Sequence, residues 1–144
     1  MKNSLMLSLV LIVVGTVTLE GQSSDSSPTY FLVLGQTFLG CLNCPERDSR
    51  SICNRRGAYG NPQSRTSIWN SFEFSSFEEK SPWSSYASNP PAILDSSGEF
   101  HGYLTANRFK RGRTNIRIFI TLAERGINPT NRNQYCAAVR AWSG

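Results

Sequence analysis

The tetrapeptide Ser51-Ile52-Cys53-Asn54 returns as Ser67-Ile68-Trp69-Asn70 and, with more changes, as Ser81-Pro82-Trp83-Ser84. The copies follow each other at offsets of 16 and 14 residues, inside a stretch (49–91) that is rich in Ser, Gly, Asn and Pro. Such residues hydrogen-bond their own backbone or supply turn geometry, which excludes a long regular helix. The pattern predicts three loop-like units, each anchored by an apolar pair and packed against a common scaffold.

Two similar hairpins are predicted on either side of this stretch. The first joins 30–34 to 38–43, and the second joins 92–95 to 99–105 through Ser96-Ser97-Gly98. The returning strands share the pattern Phe-x-Gly-x-Leu at an offset of 62 residues, and Gly40 and Gly102 indicate a bulge or a close backbone approach. We therefore expect a β-rich (α+β) fold, in which two similar β-hairpin units flank the repetitive loop region as an internal duplication and a helix ends the chain.

The terminal helix is predicted from the spacing of its apolar residues. Thr130 or Asn131 can cap it, and it runs through Trp142 with an apolar face at Tyr135, Ala138, Val139 and Trp142. The preceding segment (115–126) fits two structures. Its apolar residues share a helical face, yet its isoleucines also alternate as they would in a strand, and both interpretations stay open.

The N-terminus has the features of a secretory signal peptide. Lys2 precedes a ten-residue, mostly apolar run (5–14), which is shorter than the roughly 20 residues that span a bilayer. We divide the chain into a signal peptide (1–22), a flexible leader (23–29) and a single β-rich domain (30–144). A secreted or periplasmic protein is expected, with no stable transmembrane segment after signal removal. The alternative is an uncleaved membrane anchor.

Four cysteines fit an exported protein: Cys41, Cys44, Cys53 and Cys136. An even number in a small exported domain predicts two disulfides. Cys136 is distant from the others in sequence, so one bridge is expected to tie the C-terminal segment to the first loop unit. Three connectivities stay open. The Cys41-x-x-Cys44 spacing also suits a zinc site or a redox dithiol, which an oxidising compartment disfavours. We expect no metal and no cofactor.

Charge is concentrated near the C-terminus. Residues 23–100 hold six Lys/Arg and eight Asp/Glu, a net charge of −2, whereas 101–144 hold eight Lys/Arg and one Asp/Glu, a net of +7. The densest cluster, here called the basic segment (108–117), contains Arg108, Lys110, Arg111, Arg113 and Arg117. Such a cluster suits an anionic lipid or cell-wall polymer in an exported protein, while nucleic acid is a less accessible partner. The alternative is a solvated loop that serves solubility.

Aromatic residues of the loop units offer a second candidate surface. Trp69, Trp83 and Tyr86 stand among Ser and Asn, where exposed rings can stack on sugars or on a flat partner. The alternative is that each Trp anchors its loop to the sheet, which a domain of this size favours because it needs its aromatic residues inside.

Four motifs stand out in the middle of the chain: Phe38-Leu-Gly-Cys-Leu-Asn43, the recurring Ser-Ile-x-Asn with Tyr59-Gly60, Ser81-Pro-Trp83 with Tyr86-Ala-Ser-Asn-Pro-Pro91, and Gly102-Tyr-Leu-Thr-Ala-Asn107. Together they resemble a group of small bacterial proteins, many of them exported, that have no established activity. The likeness covers 34–107, and Arg55-Arg56-Gly57 and Ser71-Phe72-Glu73 depart from the group's usual Asn-Pro-Tyr-Gly. It implies bacterial export and a repeat architecture, and it carries over no catalytic residue.

Catalysis has one weak candidate pair, Glu99 and His101. In a strand they share a face, and near five cations they have the residue types for acid–base cleavage of a phosphodiester. A solvent-facing polar strand gives the same pattern. There is no Gly-x-Ser-x-Gly and no lysine-bearing phosphate loop. The expected function is therefore an exported bacterial binding module, contacting an anionic envelope polymer or another protein. The alternatives are a small secreted nuclease-like hydrolase and a purely structural surface protein.

Overall fold

The computed structural model describes residues 15–16 and 26–142. Its elements are β1 (Tyr30–Leu34), β2 (Thr37–Cys41), β3 (Ala92–Asp95), β4 (Phe100–Tyr103), α1 (Arg117–Arg125) and α2 (Pro129–Trp142). The strands form one antiparallel sheet in the order β2-β1-β3-β4. This is a mixed α+β fold with two hairpin pairs, as expected. The predicted signal peptide (1–22), apart from Gly15 and Thr16, and the first part of the leader lie outside the described residues.

The two predicted hairpins are present, and the returning strand of each is crossed closely by a later segment. A Cβ on Gly40 would lie 2.9 Å from the Arg50 carbonyl oxygen, and one on Gly102 would lie 2.5 Å from Thr114 Cα. Both glycines have positive φ, +112° and +92°, which side chains rarely adopt. The predicted close backbone approach is confirmed at both. Internal duplication of the hairpins stays a prediction.

Residues 42–91, between β2 and β3, form a succession of turns. Amides bond to the carbonyl three residues earlier, for example from Ser51 to Asp48, from Asn54 to Ser51 and from Ser67 to Ser64. Buried serines hold these turns from inside: the hydroxyl oxygens of Ser51 and Ser67, among others, accept the amide two residues later. The polar groups of this stretch therefore find partners locally, which lets a loop region pack against the sheet.

Trp69 and Trp83 bind neighbouring loop units to each other. The Trp69 indole donates to the Ile52 carbonyl at 2.8 Å, and the Trp83 indole donates to the Ile68 carbonyl at the same distance. The two rings are stacked, with centroids 5.3 Å apart. Both rings are buried, which fits an internal role, although their hydrogen bonds join successive turns to one another rather than to the sheet.

Segment 115–126, for which both helix and strand were possible, contains the helix α1. Phe119, Leu122 and Ala123 form the buried face of α1, and Gly126, with φ of 79°, ends it. The burial of these residues together decides between the two patterns, because in a strand Phe119 and Leu122 would lie on opposite faces. The core also contains Leu32, Leu39, Ile52, Ile68, Ile93 and Leu104.

The terminal helix α2 starts earlier than predicted. Asn128, rather than Thr130 or Asn131, caps it, since its side-chain oxygen accepts the Asn131 amide at 2.8 Å. Tyr135 and Val139 are buried as expected, but Ala138 is exposed. The buried residues of α2 also include the polar Asn131 and Arg132, which the apolar pattern did not predict.

The four cysteines form two disulfides, Cys41–Cys44 and Cys53–Cys136. The second joins residues 83 positions apart and fixes α2 to the first loop unit, which confirms the predicted tether. Disulfides of this kind indicate an oxidising, extracellular-type environment. Within the residues that the structure describes, no helix has the length and apolar character needed to cross a membrane.

Candidate functional site

The basic segment (108–117) is partly neutralised by one carboxylate. Glu124 on α1 contacts Arg113 at 3.0 Å and Arg108 at 3.3 Å. Arg113 also donates to the Thr105 carbonyl at 3.0 Å, so its guanidinium has a structural role. Arg111 and Arg117 are exposed and remain the cations best placed to meet a partner.

Lys110 connects the basic segment to the loop units. Its ammonium donates to the Ser88 carbonyl at 2.9 Å and lies 5.0 Å from the centre of the Tyr103 ring. Asn107 adds a second connection, donating to the Ala87 carbonyl at 2.9 Å. The basic segment and Asn107, which precedes it, are thus bonded to residues 87 and 88, and these two bonds fix the position of the backbone that carries the exposed side chains.

Phe109 is the feature of this segment that the sequence analysis did not single out. Its side chain is 94% exposed, although it stands between Arg108 and Lys110 in a well-bonded turn. The Asn107 side-chain oxygen accepts the Phe109 amide at 3.0 Å, which holds the backbone of this turn. The sequence feature that could have indicated this exposed ring is the position of an apolar residue within a run of charged residues.

Other exposed aromatic rings occupy equivalent positions in turns. Phe72, Phe77 and Tyr86 are 94%, 93% and 84% exposed. Like that of Phe109, each of their amides bonds to an Asn or Ser side chain two residues earlier. Of the three predicted aromatic candidates, Trp69, Trp83 and Tyr86, only Tyr86 lies at the surface. The sequence could not separate them because the same Ser- and Asn-rich context surrounds the buried and the exposed rings.

The predicted pair Glu99 and His101 has a third member, Asp95. The His101 ring bonds to Asp95 Oδ2 at 2.8 Å, while Glu99 is exposed, just ahead of β4. Ligand-type atoms of all three residues lie within 4.8 Å of one another. Asp95 Oδ1 accepts the Ser97 hydroxyl and the amides of Ser97 and Glu99, so this carboxylate holds the β3–β4 turn.

Hydrogen bonds account for the acidity of Asp95. The Ser97 hydroxyl, followed by the His101 ring, lowers the pKa of the Asp95 carboxyl well below its ordinary 3.8. His101 also packs edge-on against Tyr30, with centroids 5.1 Å apart. The imidazole is therefore engaged on two sides, an arrangement that suits a turn-stabilising group better than a free acid–base catalyst.

Comparison with known proteins adds no analogy. No protein-family model, curated protein or solved structure matches this chain. The site must therefore be judged by its own chemistry. The strongest candidate consists of three exposed residues within nine positions of the sequence, Phe109, Arg111 and Arg117, here called the aromatic–basic surface.

A pH-dependent effect follows from the Asp95 contacts. A carboxyl whose folded-state pKa is lowered contributes stability above its unfolded pKa and loses it as the pH falls. We expect Asp95→Asn to unfold at lower urea concentration than the unsubstituted protein at pH 7, and the difference to shrink below about pH 4. Urea titrations at pH 7 and pH 3 measure this. A constant difference at both pH values would contradict a role for the charge.

Proposed function

We propose that the protein is an exported bacterial binding module that contacts an anionic envelope polymer through the aromatic–basic surface. The observation that carries the proposal is the Phe109 side chain, 94% exposed within the most cationic part of the chain. Exposing a phenyl ring to water is unfavourable, so a surface that holds one in a fixed turn is suited to a partner that covers it.

The charges of this surface favour an anionic partner. Glu124 faces Arg108 and Arg113, which leaves Arg111, between them in sequence, and Arg117, after them, as exposed cations without this carboxylate. Exposed charges attract a partner over a Debye length of about 8–10 Å and lose most of that attraction in high salt. A flexible acidic polymer can place carboxylates or phosphates on both arginines while a sugar ring or backbone carbon covers Phe109.

The hydrolase alternative, based on Glu99 and His101, has less support. In that alternative Glu99 is the base and His101 the acid. However, His101 Nε2 bonds to Asp95, which also holds the β3–β4 turn, and the ring packs on Tyr30, so a structural role in the hairpin accounts for these contacts. The aromatic–basic surface contains no nucleophile. Binding without chemistry is therefore the function that the geometry supports best.

Co-sedimentation with purified acidic envelope polymers tests the proposal. We expect Arg111→Gln combined with Arg117→Gln to weaken binding about tenfold at 0.1 M NaCl, with a smaller difference at 0.5 M because exposed charges are screened. We expect Phe109→Ser to weaken binding about five- to tenfold at both salt concentrations, since a ring contact contributes about 1 kcal/mol.

Two matched control variants distinguish binding at the aromatic–basic surface from a non-specific effect of charge or hydrophobicity. Phe72→Ser removes an equally exposed ring at an equivalent turn position, and Arg65→Gln removes an exposed cation outside the basic segment. Both should bind like the unsubstituted protein. Equal losses in the controls and in the test variants would contradict the proposal.

A further inference from the structure

A second cationic site lies away from the basic segment, around Arg132 on α2. Arg132 is only 4% exposed, and its guanidinium lies over the Trp69 ring, 5.3 Å from the ring centre. One nitrogen, Nη2, donates to the Gly60 carbonyl. The other, Nη1, is the single buried side-chain nitrogen or oxygen without a hydrogen-bond partner among residues 15–16 and 26–142.

An unpartnered buried guanidinium nitrogen is unfavourable. Burial removes water that would otherwise bond to it, and one carbonyl and one aromatic ring replace only part of that solvation. The same burial, reinforced by the charge of Arg55, lowers the pKa of Arg132 to about 10. The guanidinium stays charged at neutral pH, so the site retains an unsatisfied donor and an excess of positive charge.

Two further arginines surround a cavity beside Arg132. The cavity has a volume of about 140 Å³, and its wall includes Arg55, Arg132, Arg140, Asn133 and Glu46. Arg55 is held in place by the Asn133 side-chain oxygen at 3.0 Å, and Arg140 lies 3.7 Å from Glu46. Three guanidinium groups and one carboxylate give this wall a net charge of +2.

We propose that this cavity binds a phosphate group, either as free inorganic phosphate or as the end group of an organic phosphate. Guanidinium groups form paired, charge-assisted bonds to phosphate oxygens, and three of them here line a space of suitable size. A bound phosphate would offset the repulsion between the guanidinium groups of Arg132 and Arg55.

A neighbouring groove provides room for an organic phosphate. This groove, of about 630 Å³, shares Glu46, Cys53, Cys136 and Arg140 with the phosphate cavity and adds Pro45 and Val139 to its wall. A phosphate in the cavity can therefore carry an apolar group into the groove. None of these residues belongs to the basic segment, so the inference does not depend on the proposed function.

Calorimetric titration of the full disulfide-bonded chain with inorganic phosphate, at constant ionic strength in chloride, tests the site. Arg132 packs in the core and its replacement would disturb the fold, so the test uses Arg55→Gln combined with Arg140→Gln. We expect this variant to bind phosphate at least about tenfold more weakly. Arg111→Gln combined with Arg117→Gln, which should weaken polymer binding, should bind phosphate normally.

The outcomes separate the possibilities. No phosphate binding by the unsubstituted protein would overturn the proposal, as would equal affinity in the Arg55/Arg140 variant. Phenyl phosphate, used as a second probe, distinguishes the two sources of the phosphate group. Tighter binding than inorganic phosphate would place an organic group in the groove, and equal affinity would indicate the free anion.

Discussion

Replacing Cys53 and Cys136 together with alanine is expected to lower the free energy of unfolding by about 4–5 kcal/mol. The bridge closes a segment of 83 residues, and the entropy that a cross-link removes from the unfolded chain grows with the length of the loop. Because a small domain is stable by only about 5–15 kcal/mol, this variant should be close to unfolding. Urea denaturation followed by tryptophan fluorescence measures the change, and Trp69 beside Cys53 in the core serves as a probe.

The other disulfide gives a matched control. Cys41–Cys44 has a sequence separation of only 3, so Cys41→Ala with Cys44→Ala should cost about 2 kcal/mol by the same relation. All four sulfur-bearing residues lie in or beside the core, which makes the chemical change similar. Equal losses for the two pairs would show that loop closure does not set their contributions.

Replacing Trp83 with alanine is expected to destabilise the protein by about 3–5 kcal/mol. The side chain is 4% exposed, stacks on Trp69 and donates to the Ile68 carbonyl, so its removal leaves a cavity and an unpaired buried carbonyl. Trp83→Phe keeps most of the ring and should lose about 1–2 kcal/mol, largely from the missing hydrogen bond.

The exposed ring of the same loop is the control for that experiment. Tyr86→Ala should change stability by less than about 0.5 kcal/mol, because its side chain is 84% exposed. A large effect at Tyr86, or a small one at Trp83, would mean that the loop units are not anchored as described. Urea titrations at pH 7 give all three values.

The sequence predicted the structure correctly at positions where only one residue type is physically suitable. Gly40 and Gly102 stood inside returning strands, and only a glycine tolerates the positive φ and the close backbone found there. The hairpins followed from short apolar runs separated by turn residues, and the terminal tether followed from the separation of Cys136 from the other cysteines in sequence.

The sequence was less informative where the outcome depends on contacts between distant residues. The sequence of segment 115–126 fitted both a helix and a strand, and the joint burial of one helical face decides for the helix. Arg132 contacts Gly60, 72 residues away, and nothing in its local sequence indicates burial. The contact of Asp95 could not be predicted for a related reason: its bond to His101 crosses from β3 to β4, whereas sequence alternation relates only residues of one strand.

Photo-cross-linking at position 109 tests most directly the central claim, that the aromatic–basic surface contacts an anionic envelope polymer. A photoreactive phenylalanine replaces Phe109 in one variant and Phe72 in another, and both are irradiated in the native envelope. We expect position 109 to form cross-links to the polymer, in lower yield at high salt, and position 72 to form few or none. Equal labelling from both positions, or labelling from position 72 alone, would contradict it.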